Sequence, residues 1–459
     1  MLMNQLAICT FLTWAFAGYV PSRPRPPITD GLGRVDNGGE QDSSKQHIIA
    51  TLQTQKIDLV TNTSDTHPSN SSRYMGGWQR EGLAGFGAGT VYMLDLEVGT
   101  PKQSISLILD TGSFTTLVDP DCTRAADVSA CRMYGFYNTT ASSTSRTLNA
   151  YFSAQFGTGY MEGSWFNDTV YIGQDKLPLP QSRVGVNLWS TYLWAGIIGV
   201  SYGMRWNTAY PTLLDLLVQL GYIEVPIFSL GVGTLGEGSL NQPGCRRLNP
   251  VWSGSIVFGG VNRWKYRGYL EPIEIWPNPS DQLAQFQQVG YWINLTSFGY
   301  TQPGQPEIIL TGDDFARSML IDTGSTFTYL DADLVSIVAK SFNAWIDEAG
   351  VYYVNCALRY EEGYIHFGFN QGNMVIQVSY ADFIVDFDTY CALGVQPADI
   401  GVATWVLGNS FIRAAYIVFD QTNDAIWLAQ YMPCDSDDIN DLTSNAGEEL
   451  WLDLTGLCW

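Results

Sequence analysis

The amino-acid sequence predicts an all-β protein with minor helices, built from two repeated halves. Three observations carry this. Short β-patterned apolar runs recur at 91–98, 104–109, 255–258, 415–419 and 425–429, punctuated by many of the 46 glycines and 20 prolines. Helical periodicity is confined to a few stretches, the best at 211–220 and 332–344. And one motif occurs twice, Ile108-Leu109-Asp110-Thr111-Gly112-Ser113 and, 212 residues later, Leu320-Ile321-Asp322-Thr323-Gly324-Ser325.

Along the chain, the first element is an apolar run at 6–17 that ends in Ala15-Phe16-Ala17. It is too short to span a bilayer and fits a signal peptide with a small-x-small cleavage site, although Lys and Arg are missing from its start. Residues 18–80 are polar and carry Pro21, Pro24, Pro26 and Pro27, the composition of a pro-segment or flexible lead-in, with one amphipathic patch at 48–60. Next come two β-rich halves, 81–235 and 236–430. An acidic tail at 431–459 carries Asp435, Asp437, Asp438, Asp441, Glu448, Glu449 and Asp453 and is expected to be exposed, pinned by Cys434 or Cys458. No stretch after the leader reaches the length of a membrane span.

Composition narrows the function. The 459 residues hold 45 acidic and 23 basic side chains, a net charge of −22. The first 80 residues contain seven basic and six acidic residues, so the remainder carries −23 and the acidity lies in the β-rich part. Nucleic acids and anionic membranes recruit basic patches, so neither is expected as a partner. Histidine is scarce: His47, His67 and His366. Two of them lie in the lead-in, and His366 sits in the alternating run 364–368, which reads as an ordinary strand. A Ser/His/Asp or Cys/His machine would have to rest on His366 alone, and a His-based zinc site has too few ligands. The sequence also lacks CxxC. No metal and no cofactor are expected. Carboxylate is the abundant chemistry.

Sequons at Asn62, Asn70, Asn138, Asn167 and Asn294 fit a glycosylated, secreted protein, with a vacuole as the alternative destination. Seven cysteines follow the leader. Cys122 and Cys131 are spaced to close a small loop, and Cys356 and Cys391 a larger one. The pairing of Cys245, Cys434 and Cys458 cannot be read from spacing.

Each repeat continues alike. Ile197-Ile198-Gly199 follows Asp110 by 89 residues, and Val406-Leu407-Gly408 follows Asp322 by 86. With Gly99-Thr100-Pro101, 210–215, Phe258-Gly259-Gly260-Val261, 407–413 and 416–420, this pattern resembles the pepsin-like aspartic proteases, secreted fungal members above all, over about residues 90–430. The resemblance implies a bilobal pepsin-like fold with a central cleft for an extended polypeptide substrate, and a monomer. It assigns Asp110 and Asp322 as the catalytic pair. Thr111 and Thr323 would tie the two loops together, Gly112 and Gly324 would let backbone approach the carboxylates, and Ser113 and Ser325 would hydrogen-bond them. Residues 152–159 match the hairpin that covers the cleft in that family. Where the family carries Tyr, this chain has Phe156, followed by Gly157 and Thr158. Where the family carries its partner Trp, this chain has Leu117. Phe114, Leu117 and Phe156 are expected to line the cleft. In related zymogens a basic side chain sits against the pair, and Lys56 is the candidate here. Arg73 or Arg80 would mark maturation.

The expected function is acid endopeptidase. Two alternatives stand beside it. One is a catalytically weak or inactive relative that kept the cleft for binding, to which the altered hairpin lends support. The other is a glycoside hydrolase, suggested by 15 Trp, 25 Tyr and a carboxylate pair. Against the latter, the aromatics lie mostly within strand patterns, where a core role suits them.

Overall fold

The computed structural model describes residues 48–55, 91–233, 252–275 and 289–458, apart from 120–121, 124–127, 157–158, 174, 192–194, 205, 348–349, 388–389, 399–404, 435, 437, 449 and 451–453. The signal peptide, Lys56, Asn62, Asn70, Arg73, Arg80, Gly157, Thr158 and Cys245 lie outside the described residues.

Strands dominate, as the period-2 runs predict. A fourteen-strand sheet takes strands from both halves. Its middle is an antiparallel platform, in the order Tyr266–Glu274, Ala425–Tyr431, Ala415–Asp420, Ile227–Val232, Trp252–Phe258, Ile48–Gln55, Val91–Val98 and Gln103–Asp110. The strand Ile48–Gln55 falls in the expected amphipathic patch of the lead-in. It is paired on both sides, with Ile48 opposite Phe258 and Leu52 opposite Leu94. An eight-strand sheet belongs to the second half alone and includes Trp292–Thr301, Arg317–Ile321 and Tyr364–Phe369. His366 lies in the last of these, buried, with Nε2 2.7 Å from the Thr301 hydroxyl, as an ordinary strand position predicts.

The sequence repeat is a repeat of topology. Gln103–Asp110 pairs in parallel with Ile197–Gly199, which pairs antiparallel with Thr116–Val118. In the second half, Arg317–Ile321 pairs in parallel with Val406–Leu407, which meets Thr328–Leu330 antiparallel. The second motif of each half is therefore the strand laid beside its aspartate strand. Its glycine is needed there. A Cβ on Gly199 would stand 2.5 Å from the backbone nitrogens of Phe114 and Thr115, and one on Gly408 would strike the Phe327 carbonyl.

The helices are short. Leu213–Gln219 starts where Thr212 donates its backbone N–H to Asp215 at 2.8 Å. Ala332–Ser341 ends earlier than its periodicity suggests, because Asn343 turns into the left-handed region at φ 49°.

The tail departs from expectation. Rather than hanging exposed, it packs on the second half. Ile439–Asp441 pairs with Gly260–Asn262, and Gly456–Leu457 pairs with Tyr266–Glu274. Leu442, Ala446, Leu450 and Leu454 are buried with Val261, Tyr266 and Trp427. Their four-residue spacing is the signal that a count of acidic residues overlooks. Cys434 bonds to Cys458, resolving the pairing left open, and the expected pairs Cys122–Cys131 and Cys356–Cys391 form with Cα separations of 5.5 and 5.2 Å.

One buried carboxylate stitches the first half. Burial alone would raise the Asp168 pKa, but Ser142 Oγ, Thr144 Oγ1, the Tyr137 hydroxyl and the Thr169 N–H donate to it at 2.5–2.7 Å and hold it below its ordinary value. A lowered carboxylate stabilises the fold above its ordinary pKa, and that contribution is lost as pH falls through the folded value. Asp168→Asn is expected to cost about 1–3 kcal/mol near pH 6 and progressively less as pH falls through the lowered folded value, read from unfolding midpoints across an acid series.

Candidate active site

The repeated triplets come together at the join between the halves. Asp110 ends the strand Gln103–Asp110, and Asp322 follows the strand Arg317–Ile321. Both side chains are fully buried. The two loops bind each other reciprocally. Thr111 N donates to Thr323 Oγ1 at 3.1 Å, and Thr323 N to Thr111 Oγ1 at 3.0 Å. The hydroxyls donate onward, Thr111 Oγ1 to the Ile321 carbonyl at 2.8 Å and Thr323 Oγ1 to the Leu109 carbonyl at 2.6 Å. Four buried bonds thus lock two segments 212 residues apart.

Each aspartate is dressed alike. Gly112 N donates to Asp110 Oδ1 and Gly324 N to Asp322 Oδ1, both at 2.8 Å. Ser113 Oγ donates to Asp110 Oδ2, and Ser325 Oγ to Asp322 Oδ2 at 2.8 Å. The carboxyls themselves are close enough to hydrogen-bond. Burial and the Asp110 charge push the Asp322 pKa well above the carboxylate range, against the opposing Ser325 bond. Two carboxyls so placed share a proton and titrate as a pair.

The hairpin side chain Phe156 is 1 % exposed and belongs to one apolar cluster with Leu117, also 1 % exposed, and with Ile108, Met161 and Trp165. Phe114 is buried too. Two residues passed over in the sequence support the hairpin. Gln155 Nε2 donates to the Phe156 and Gly159 carbonyls at 2.7 and 2.9 Å. Trp165, 4.9 Å from Phe152, supplies an indole to the cluster in which Leu117 stands. A third, Asn409, braces the second loop by donating Nδ2 to the Thr323 carbonyl at 3.0 Å. Its position directly after the repeated glycine was its signal. Among the sequons, Asn138 caps a short helix by accepting from Thr140 N, and Asn167 and Asn294 lie half-buried on strands.

A two-part β-fold with one aspartate from each part, cross-tied at its centre, is the architecture of a pepsin-like aspartic peptidase. Residues 91–431 match the eukaryotic aspartyl protease family, and the chain belongs to that family, whose members are aspartic-type endopeptidases acting on peptides. It is 28 % identical over 364 residues to a probable aspartic-type endopeptidase, opsB, of Aspergillus oryzae, covering 74 % of this chain and 68 % of that one. It is 30 % identical over 351 residues to aspartic proteinase yapsin-3 of Saccharomyces cerevisiae, covering 74 % and 66 %. The fold matches the crystal structure of aspartic proteinase from Irpex lacteus with a TM-score of 0.55 and 21 % identity, over 74 % of this chain and 94 % of that one.

Proposed function

We propose that this protein is an active endopeptidase that is secreted through its leader and hydrolyses extended polypeptides in acid, with Asp110 and Asp322 as its catalytic pair. The observation that carries this reading is the paired burial of two mutually hydrogen-bonding carboxyls in matched, cross-tied loops. One proton serves the pair. The ionised carboxylate takes a proton from water as the water attacks the scissile carbonyl, and the protonated one donates to the carbonyl oxygen, with no covalent intermediate. Thr111, Thr323, Gly112, Gly324, Ser113 and Ser325 hold the pair, and the substrate lies between the lobes at 81–235 and 236–430, under the hairpin that carries Phe156, Gly157 and Thr158. The raised Asp322 pKa gives the acid preference its sign. The shared proton is retained through the acid range and lost as pH rises through the raised value, so activity falls toward neutrality.

The test is peptide cleavage by processed protein between about pH 3 and 7. A rate that peaks in acid and declines toward neutral pH is expected. Absence of cleavage throughout would favour the inactive, ligand-binding alternative.

The same groups fit the fold to acid. Burial raises the Asp119 pKa against its bond from Asn187, as it does for Asp322. A raised carboxyl stabilises the fold below its ordinary pKa and loses that contribution as pH rises through the folded value, opposite in sign to Asp168.

Phe156 does not by itself imply a weak enzyme. It packs with Leu117 where the family has a hydrogen-bonded pair, and replacing both partners by apolar groups can be nearly neutral. Phe156→Tyr is expected to give no gain in kcat/KM, because Leu117 offers the new hydroxyl no partner. A large gain in steady-state kinetics would sink this account.

A further inference from the structure

The hairpin 152–159 starts from the edge of a sheet. Its first strand, Arg146–Gln155, ends the fourteen-strand sheet among the described residues and pairs along one side with Tyr160–Ile172. Such a strand is held to the body by the side chains of its inward face. Of its ten residues only Phe152 and Ala154 are buried, and Phe156 follows them on the same face. Ala154 is small, so two phenyl rings carry the attachment. Two glycines make room for the first of them. Gly163 lies opposite Phe152 in register, and a Cβ there would stand 2.7 Å from Phe152 Cε1. Gly185 lies one strand further in, opposite Trp165. A Cβ on Gly185 would meet Leu117 Cδ2 at 2.5 Å, Phe152 Cε1 at 2.8 Å and Trp165 Cζ3 at 3.1 Å. All three are side-chain atoms, and Gly185 does not take a positive φ. The position therefore requires space for rings, not backbone freedom.

Trp165 walls this seat, its indole 4.9 Å from the Phe152 ring. The indole also meets Tyr210 edge-on at 5.9 Å, and the Arg183 guanidinium lies 3.8 Å over the Tyr210 ring. A row of four side chains thus runs from the hairpin into the body of the first half. The turn is closed on itself, with Phe156 N donating to the Gly159 carbonyl at 2.7 Å and Gln155 Nε2 to the carbonyls of Phe156 and Gly159. The tip therefore moves with the strand that carries it. We propose that Phe152 and Trp165 are positioning residues of this hairpin, and that their seat over Gly163 and Gly185 sets where the tip meets the substrate. The indole that Leu117 lacks is supplied from the hairpin's own second strand, and packing replaces a polar contact as the means of placement. The effect on turnover rests on the endopeptidase reading, whereas the seat itself does not.

The test joins amide hydrogen exchange on the full chain with peptide cleavage by processed protein, for Trp165→Leu, Phe152→Leu and Gly185→Ala. Exchange at the Phe156 N–H is expected to quicken by about tenfold or more in each variant, while amides of the strand Trp292–Thr301 in the second half keep their wild-type rates. A general loss of stability would move both. In cleavage, kcat/KM should fall by about tenfold or more, with KM rising by a larger factor than kcat falls. Trp165→Phe, which keeps a ring, should lose less. Phe152→Leu added to Gly185→Ala should cost little more than either alone, because both empty the same seat. Should Trp165→Leu fail to fold, the other two variants decide. Wild-type hairpin exchange in the variants overturns the proposal, and so does faster exchange with kcat/KM unchanged. A wild-type protein that cleaves nothing refutes the endopeptidase reading instead, and exchange alone then decides the seat.

Discussion

Replacing either Asp110 or Asp322 by Asn should lower kcat/KM by about 10⁴-fold or more, with the fold retained. Asn keeps the shape and an acceptor for the Gly112 or Gly324 N–H, bonds that are 2.8 Å long in both loops. The serine hydroxyls of residues 113 and 325 can rotate to accept from the new amide. What disappears is the ability of the pair to carry one exchangeable proton and one negative charge. A second readout separates this from damage to the fold. With Asp110 neutral, the charge that helps raise the Asp322 pKa is gone, so the remaining carboxyl titrates closer to the ordinary range while burial still holds it up. Cleavage in acid that survives Asp110→Asn would refute the two-carboxylate assignment outright.

The second large effect lies in the threonine lock. Thr111→Val is almost isosteric and leaves no cavity. It removes the acceptor of Thr323 N and the donor to the Ile321 carbonyl, at 3.0 and 2.8 Å, and strands both in a region without solvent access. Leaving a buried polar group unsatisfied costs about 1–3 kcal/mol, so a loss of about 2–5 kcal/mol is expected from denaturant unfolding, and Thr323→Val should match it. Activity should fall with stability, because the same bonds set the distance between the carboxyls. A cost under about 1 kcal/mol would show that water or backbone relaxation replaces the lost partners.

The aspartate strands and their neighbours were legible because a duplicated sequence is read twice, and chance does not repeat a motif with its spacing. The threonine lock was legible only through the resemblance to the pepsin-like family. The strand type of the runs 91–98 and 415–419 was legible from composition. Other features were not. Pairing of Ile48–Gln55 with Trp252–Phe258 joins segments some 200 residues apart, which no local pattern encodes. Trp165 escaped because its partner cluster is assembled from several strands, and only packing shows that it shares a cluster with Leu117. The tail was misjudged for a different reason. Its charges set the average while its buried apolar residues Leu442, Ala446, Leu450 and Leu454, four apart, set the structure.

The strand Ile48–Gln55 has a consequence for what a protease cut would release. It lies in mid-sheet, hydrogen-bonded to neighbours from both sides. Severing the backbone between residues 56 and 90 would leave it clamped there, and evicting it would open two raw edges at the heart of the platform. A nick in the lead-in would therefore yield a two-chain molecule, held together by a shared sheet, until another strand takes the vacated slot.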